Sequence, residues 1–171
     1  MSNGNGSEPN GNGAFPPEHL KERFDGIVAR YPRRVAALIP IMMILQDEQR
    51  HLSPETIEGL AGYLETTPAH VLGVLTFYAM FSTKERGTRH IYFCKTTPCW
   101  LRGAPELLKL FEEKLGIKAD SGETTEDGQF SIDTAECIGL CEMAPCILVD
   151  DERFGDITPE TVDQLIEELR K

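Results

Sequence analysis

Apolar positions in the first half of the chain recur at helical spacing. In residues 16–31, "PPEHLKERFDGIVARY", Leu20, Phe24, Ile27 and Val28 sit in phase among charged residues, which predicts an amphipathic helix. The run from Val35 to Leu45 is almost wholly apolar with Pro40 in its middle, and reads as a helix whose proline takes the first turn or makes a kink. Two further starts repeat one signal, a hydroxyl residue before a proline: Ser53 before Pro54, and Thr67 before Pro68. Residues 16–82 therefore predict a helical N-terminal domain of three or four short helices, with no strand of comparable strength.

The pattern changes at the polar turn "STKERG". "TRHIYFC" is a short run of aromatic and β-branched residues, expected as a strand, and Ala104 to Leu115 carries Leu107, Leu108, Phe111 and Leu115 in helical phase. Asp127-Gly128 ahead of alternating Phe130 and Ile132 predicts a turn leading into a second strand. "CILVDDERFGDI" predicts a strand, an acidic turn and a short return. "TPETVDQLIEELRK" predicts a last helix capped by Thr158 with Pro159 at its first position. Residues 88–171 thus order as strand, helix, strand, hairpin, helix, which suits a small layered domain with a central sheet. The first 15 residues, rich in Gly and Asn, predict a disordered tail.

Charge narrows the partners. The chain carries a formal net charge of -11, which argues against a nucleic-acid binder. Residues 81–119 hold eight basic and four acidic side chains, whereas residues 120–171 hold three basic and fifteen acidic ones: a solvated acidic face, or a docking surface for a basic partner. The longest apolar run is 11 residues and is broken by Pro40, so no membrane span is expected. The N-terminus lacks the basic region and apolar core of an export signal, so the expected compartment is the cytoplasm, where thiols stay reduced.

Five cysteines carry the candidate chemistry: Cys94 and Cys99 as C-x4-C, then Cys137, Cys141 and Cys146 as C-x3-C-x4-C. No C-x-x-C occurs, which counts against a thioredoxin-type dithiol. His19, His51, His70 and His90 are placed as surface or packing residues, which leaves out Rieske-type ligation. Two separated pairs of thiolates suit a [2Fe-2S] cluster, in which each iron takes two; zinc and thiol chemistry remain open on spacing alone. Thr96, Thr97 and Pro98 make a compact loop whose N–H groups could reach cluster sulfur; Gly139 is expected to let the backbone approach closely, and Ile138, Leu140 and Met143 to exclude water. Lys95 and Arg102 flank the first pair and Glu136 and Glu142 the second, so an added electron is expected on the Cys94/Cys99 side. No G-x-G-x-x-G or lysine-bearing phosphate loop is present, so the chain itself is not expected to bind a nucleotide.

From about Phe24 to Leu169 the chain resembles the thioredoxin-like [2Fe-2S] subunit, the NuoE type, of bacterial NADH:quinone oxidoreductase, respiratory complex I. The resemblance rests on "RYP...ALIP", "LSPETIEGLAGYL", "VLGVLTFYAMF", "CKTTPCWLRGAPELL", "GETTEDGQFSIDTAECIGLCEMAP" and "DITPETVDQLIEEL" in that order. It implies an α+β chain, with an N-terminal helical bundle followed by a thioredoxin-like α/β ferredoxin domain. It also implies one [2Fe-2S] cluster, with Cys94 and Cys99 on one iron and Cys137 and Cys141 on the other. Cys146 departs from the family pattern, which has an apolar residue there, and reads as a packing thiol at the start of a buried strand. The implied role is electron transfer, with no catalysis by the chain alone, next to a flavoprotein subunit that binds FMN and oxidises NADH, with the adjacent iron–sulfur subunit as a further partner. Such a complex would place the chain peripherally on the cytoplasmic side of the inner membrane. The same resemblance admits the diaphorase subunit of an NAD-linked hydrogenase or formate dehydrogenase as parent, and a zinc-stabilised interaction module is the alternative of another class. The apolar "VLGVLTFYAMF" segment is expected either to dock on the flavoprotein or to pack within the chain.

Overall fold

The structure, a computed structural model, describes residues 15–170. The expected tail lies outside the described residues except at Phe15, whose ring stands 6.2 Å from Phe24 and 6.0 Å from Tyr63. The chain divides into two compact units, one ending at Gln46 and resuming over Leu52–Phe81, the other made of Asp47–His51 and the residues from Ser82 onward.

The first unit is helical. Helix α1 (Glu18–Val28) buries Leu20, Phe24 and Val28, the stripe set by its spacing. A 3-10 turn over Arg34–Ala37 leads into α2 (Leu38–Gln49), so Pro40 falls in the first turn, where its missing N–H costs no helical hydrogen bond. Helix α3 (Pro54–Tyr63) is capped by Ser53, whose hydroxyl accepts the Thr56 N–H at 3.2 Å, and α4 (Pro68–Phe77) by Thr67 on the His70 N–H at 3.2 Å. Arg34 fixes the end of α3: its guanidinium donates to the Tyr63 carbonyl at 2.9 and 3.1 Å and lies 4.9 Å from the Tyr63 ring centre.

The second unit is built on a four-stranded mixed sheet, order β2-β1-β3-β4, with β1 Arg89–Cys94, β2 Phe130–Ala135, β3 Ile147–Val149 and β4 Glu152–Phe154. β1 and β2 are parallel, joined by a crossover holding α5 (Thr97–Leu101) and α6 (Ala104–Leu115); β3 runs antiparallel to β1 and turns back as the hairpin to β4. The fold class is therefore the expected one. Register sorts the faces: Ile91 aligns with Ile132 and Val149, and Phe93 with Ile147, in the core shared with Phe111 of α6 and Ile166 of α7 (Val162–Leu169). Asp127 anchors the turn into β2 by accepting from the Gln129 N–H at 3.0 Å and the Thr125 hydroxyl, and these bonds, the hydroxyl's first, bring its carboxyl down to about 2. One start differs from expectation: Thr158 and Pro159 belong to a turn closed by the Thr161 N–H on the Thr158 carbonyl at 3.0 Å, and α7 begins only at Val162. Among the described residues no helix is long and apolar enough to cross a membrane.

Residues one step out of phase carry a polar network. His90 aligns with Ser131, and Tyr92 with Asp133. The buried His90 ring meets the Ser131 hydroxyl at 2.7 Å through Nδ1, stands 3.4 Å from Asp133 Oδ2 through Nε2, and packs edge-on against Tyr92 at 4.4 Å. Burial pulls the imidazole below its ordinary 6.5, aided by the nearby Arg86 charge, against the pull of Asp133 and Asp150. Below about 6.5 the unfolded chain takes up a proton that the folded one refuses until lower pH, so stability is expected to fall as pH drops through that window. Urea midpoints at about pH 7.5 and about pH 5.5 should show the fall, and His90→Gln should remove most of it; Asp133, lowered from 3.8 chiefly by His90, acts only at more acid pH.

Candidate metal centre

All five cysteines gather at one end of the sheet because of its topology. Cys94 ends β1, and Cys137 and Cys141 follow the end of the parallel β2; Cys146 precedes β3, which starts where β1 stops. The Lys95 N–H donates to the Ala135 carbonyl at 3.1 Å and the Cys94 N–H to the Cys146 carbonyl at 3.3 Å, so the three connections are laced together by backbone. Cys99 lies inside the single-turn helix α5, which begins at Thr97; the expected loop between the first two thiols is thus already partly helical.

Three sulfurs form the tightest group: those of Cys94, Cys99 and Cys146 all lie within 4.8 Å of one another, and all three residues are buried. The Cys99 and Cys146 sulfurs are 3.6 Å apart, close to the edge of about 3.8 Å of a tetrahedron with metal–sulfur bonds of ~2.3 Å. Cys137 and Cys141 are exposed and stand outside this trio. They are near each other and near Cys94: burial first, then the Cys137 and Cys94 thiols and the Glu142 charge, push the Cys141 thiol up. The Ile138 N–H, one residue past Cys137, reaches the Cys94 sulfur. All five thiols are free, the state in which they can serve as ligands.

Cys94 is the activated thiol of the buried trio. Burial opposes its thiolate, yet hydrogen bonds from the Thr96 hydroxyl at 3.3 Å, from the Thr96 and Ile138 N–H groups and from Cys99 outweigh it and bring the pKa to about 7. Burial and the neighbouring Cys94 push Cys99 up, and burial beside Cys99 pushes Cys146 up further. The surroundings correct three details of the sequence reading. Gly139 has φ 82°, and a Cβ there would meet no protein atom within 4 Å, so it is required by its left-handed backbone rather than by close approach. Ile138 and Leu140 pack against the core, but Met143 is exposed, as are Trp100 and Leu101 beside Cys99. Lys95 pairs with Glu136 at 2.9 Å, and Arg102 donates to the Ala144 carbonyl at 3.1 Å beside Asp156; the expected contrast in charge between the two thiol pairs is thereby reduced.

The position of Cys146 at the start of a buried strand predicts a packing residue. It is buried as expected, but its thiol touches Cys99. No spacing in the sequence signals this contact, which follows from the pairing of β3 back on β1.

A parallel βαβ crossover, an antiparallel hairpin and thiols collected at one sheet end define a thioredoxin-like protein built to hold a soft metal through cysteine. The chain belongs to the thioredoxin-like [2Fe-2S] ferredoxin family, which it matches over residues 24–170, and its cofactor is one [2Fe-2S] cluster. It is 38% identical over 151 residues to the second E-type subunit of the NADH-quinone oxidoreductase of Rhizobium meliloti, covering 88% of this chain and 89% of the relative. It is also 38% identical over 162 residues to the E-type subunit of the NADH-quinone oxidoreductase of Rickettsia bellii, covering 93% and 95%. Among solved structures, an air-oxidised NAD+-reducing [NiFe]-hydrogenase shares the fold with a TM-score of 0.64 at 19% identity over 75% of this chain; the chain spans 22% of that protein's length.

Proposed function

We propose that this chain is the electron-transfer subunit of an NADH:quinone oxidoreductase, carrying one [2Fe-2S] cluster next to the FMN-containing subunit that oxidises NADH. Cys94 and Cys99 would hold one iron and Cys137 and Cys141 the other. The observation that carries this reading is that Cys141 lies beside Cys137 and Cys94, and Cys94 beside Cys99 and the Ile138 N–H, at one end of the sheet and from segments far apart in sequence. The cluster supplies a one-electron carrier. The chain's own residues hold the ligand sulfurs, and the Thr96 hydroxyl with the Thr96 and Ile138 N–H groups steadies the charge on Cys94. Trp100, 60% exposed beside Cys99, and Leu101, 69% exposed, offer an apolar rim by which a partner could approach this end of the sheet.

In the helical unit, Val71, Leu75 and Phe81 are buried while Phe77 is 79% exposed and Leu72, Tyr78 and Met80 are exposed with it. This face supports docking on the flavoprotein subunit or the adjacent iron–sulfur subunit. Such a complex would sit peripherally on the cytoplasmic side of the membrane. The shared fold with the NAD+-reducing hydrogenase supports a second parent, its diaphorase part. The buried trio Cys94, Cys99 and Cys146 supports a zinc-stabilised module as the reading from another class.

Metal analysis of the full chain, isolated without oxygen, separates these classes. Two irons and two sulfides per chain, visible colour and a paramagnetic signal on reduction are expected; a colourless chain with one zinc overturns the electron-transfer reading. Identification of co-purifying subunits then decides the parent complex.

A further inference from the structure

We propose that Cys146 acts on the cluster without ligating it: its S–H donates a hydrogen bond to the Cys99 sulfur and raises the reduction potential of the [2Fe-2S] cluster. This inference rests on the reading that Cys99 is a ligand.

The backbone fixes the contact. β3 pairs with β1 in the register Phe93 with Ile147, and the next step brings Cys146 beside Cys94, with the Cys94 N–H on the Cys146 carbonyl at 3.3 Å. The side chain of Cys146 then has its sulfur 3.6 Å from that of Cys99, with both residues buried. The Cys146 N–H also reaches the Cys99 sulfur, so one residue directs two donors at one ligand atom. A bond to a charged acceptor in a dry interior is stronger than the same bond in water. Reduction adds one electron, which increases the negative charge on the ligand sulfurs; the proton stays on Cys146 and no bond breaks. The donor thereby stabilises the reduced form more than the oxidised one.

Two substitutions in the full chain, each followed by a redox titration monitored by electron paramagnetic resonance, test this. Cys146→Val fills the space without a donor and is expected to lower the potential by about fivefold in the one-electron equilibrium, ~40 mV at 59 mV per tenfold. Cys146→Ser keeps a donor and is expected to stay within about twofold of the wild type. A packing role alone would give the opposite order, because Val suits a buried site and Ser does not. An unmoved potential in Cys146→Val, or loss of the cluster from both folded variants, overturns the inference while the wild-type cluster stands. A wild-type chain without the cluster overturns the proposed function and the inference with it.

Discussion

Cys141→Ala is expected to abolish the [2Fe-2S] cluster, leaving a colourless chain with an unchanged far-ultraviolet circular dichroism spectrum. Under the proposed assignment the second iron depends on Cys137 and Cys141 alone. Both are exposed on the segment after β2, and Cys141 opens a 3-10 turn over Cys141–Met143 that contributes no buried residue. The fold therefore loses little from the truncation, whereas the iron loses one of its two thiolates, and no third thiol stands ready on that side. The same variant discriminates sharply against zinc. A zinc ion held by Cys94, Cys99 and Cys146 would survive the removal of Cys141, since the three sulfurs within 4.8 Å of one another do not include it. Iron, sulfide and zinc contents of wild type and variant, measured side by side, give the answer. Retention of one metal per chain in Cys141→Ala would point to the buried trio as the true site.

Local signals were readable wherever one short segment carries the whole cause. Ser53 before Pro54 and Thr67 before Pro68 each give a cap and a first turn, and both helices start there. Thr158 before Pro159 is the same signal, yet the Thr161 hydroxyl, which takes the Thr158 N–H at 3.1 Å, closes a competing turn and delays the helix. The fold class of the second unit could be read from the order of its elements, because a strand, a crossover helix and a second strand admit few arrangements. What stayed hidden was non-local. The contact between Cys99 and Cys146 follows from the pairing of β3 with β1, which no spacing encodes. The pairing of Lys95 with Glu136 likewise joins a residue after β1 to one after β2, so charges that lie apart along the chain meet in space. The four expected ligands came from resemblance, and the fifth thiol's place beside them came only from the sheet.

Phe111→Ala is expected to destabilise the second unit by about 3–5 kcal/mol, a large share of the ~5–15 kcal/mol that a typical domain has. Phe111 is fully buried at the middle of the apolar stripe of α6, and its ring meets Phe93 of β1 in a T-shaped contact at 5.5 Å. Truncation leaves a ring-sized void between the crossover helix and the central strand, and close packing around it limits how far the walls can relax. Leu108, half-buried on the flank of the same helix, provides the comparison, and Leu108→Ala should cost clearly less. Urea unfolding followed by circular dichroism and by Trp100, the single tryptophan of the chain, reports the difference as a lower midpoint with little change in slope. The effect should also reach the metal centre. Phe93 immediately precedes Cys94, and α6 begins five residues after Cys99, so the helix that Phe111 pins to the sheet carries the position of the first thiol pair with it. Faster loss of the visible cluster absorbance in Phe111→Ala than in Leu108→Ala is therefore expected under mild urea. Equal rates would show that the thiols are held by their own loop bonds, such as those from Thr96 and Ile138 to Cys94, independently of the core behind them.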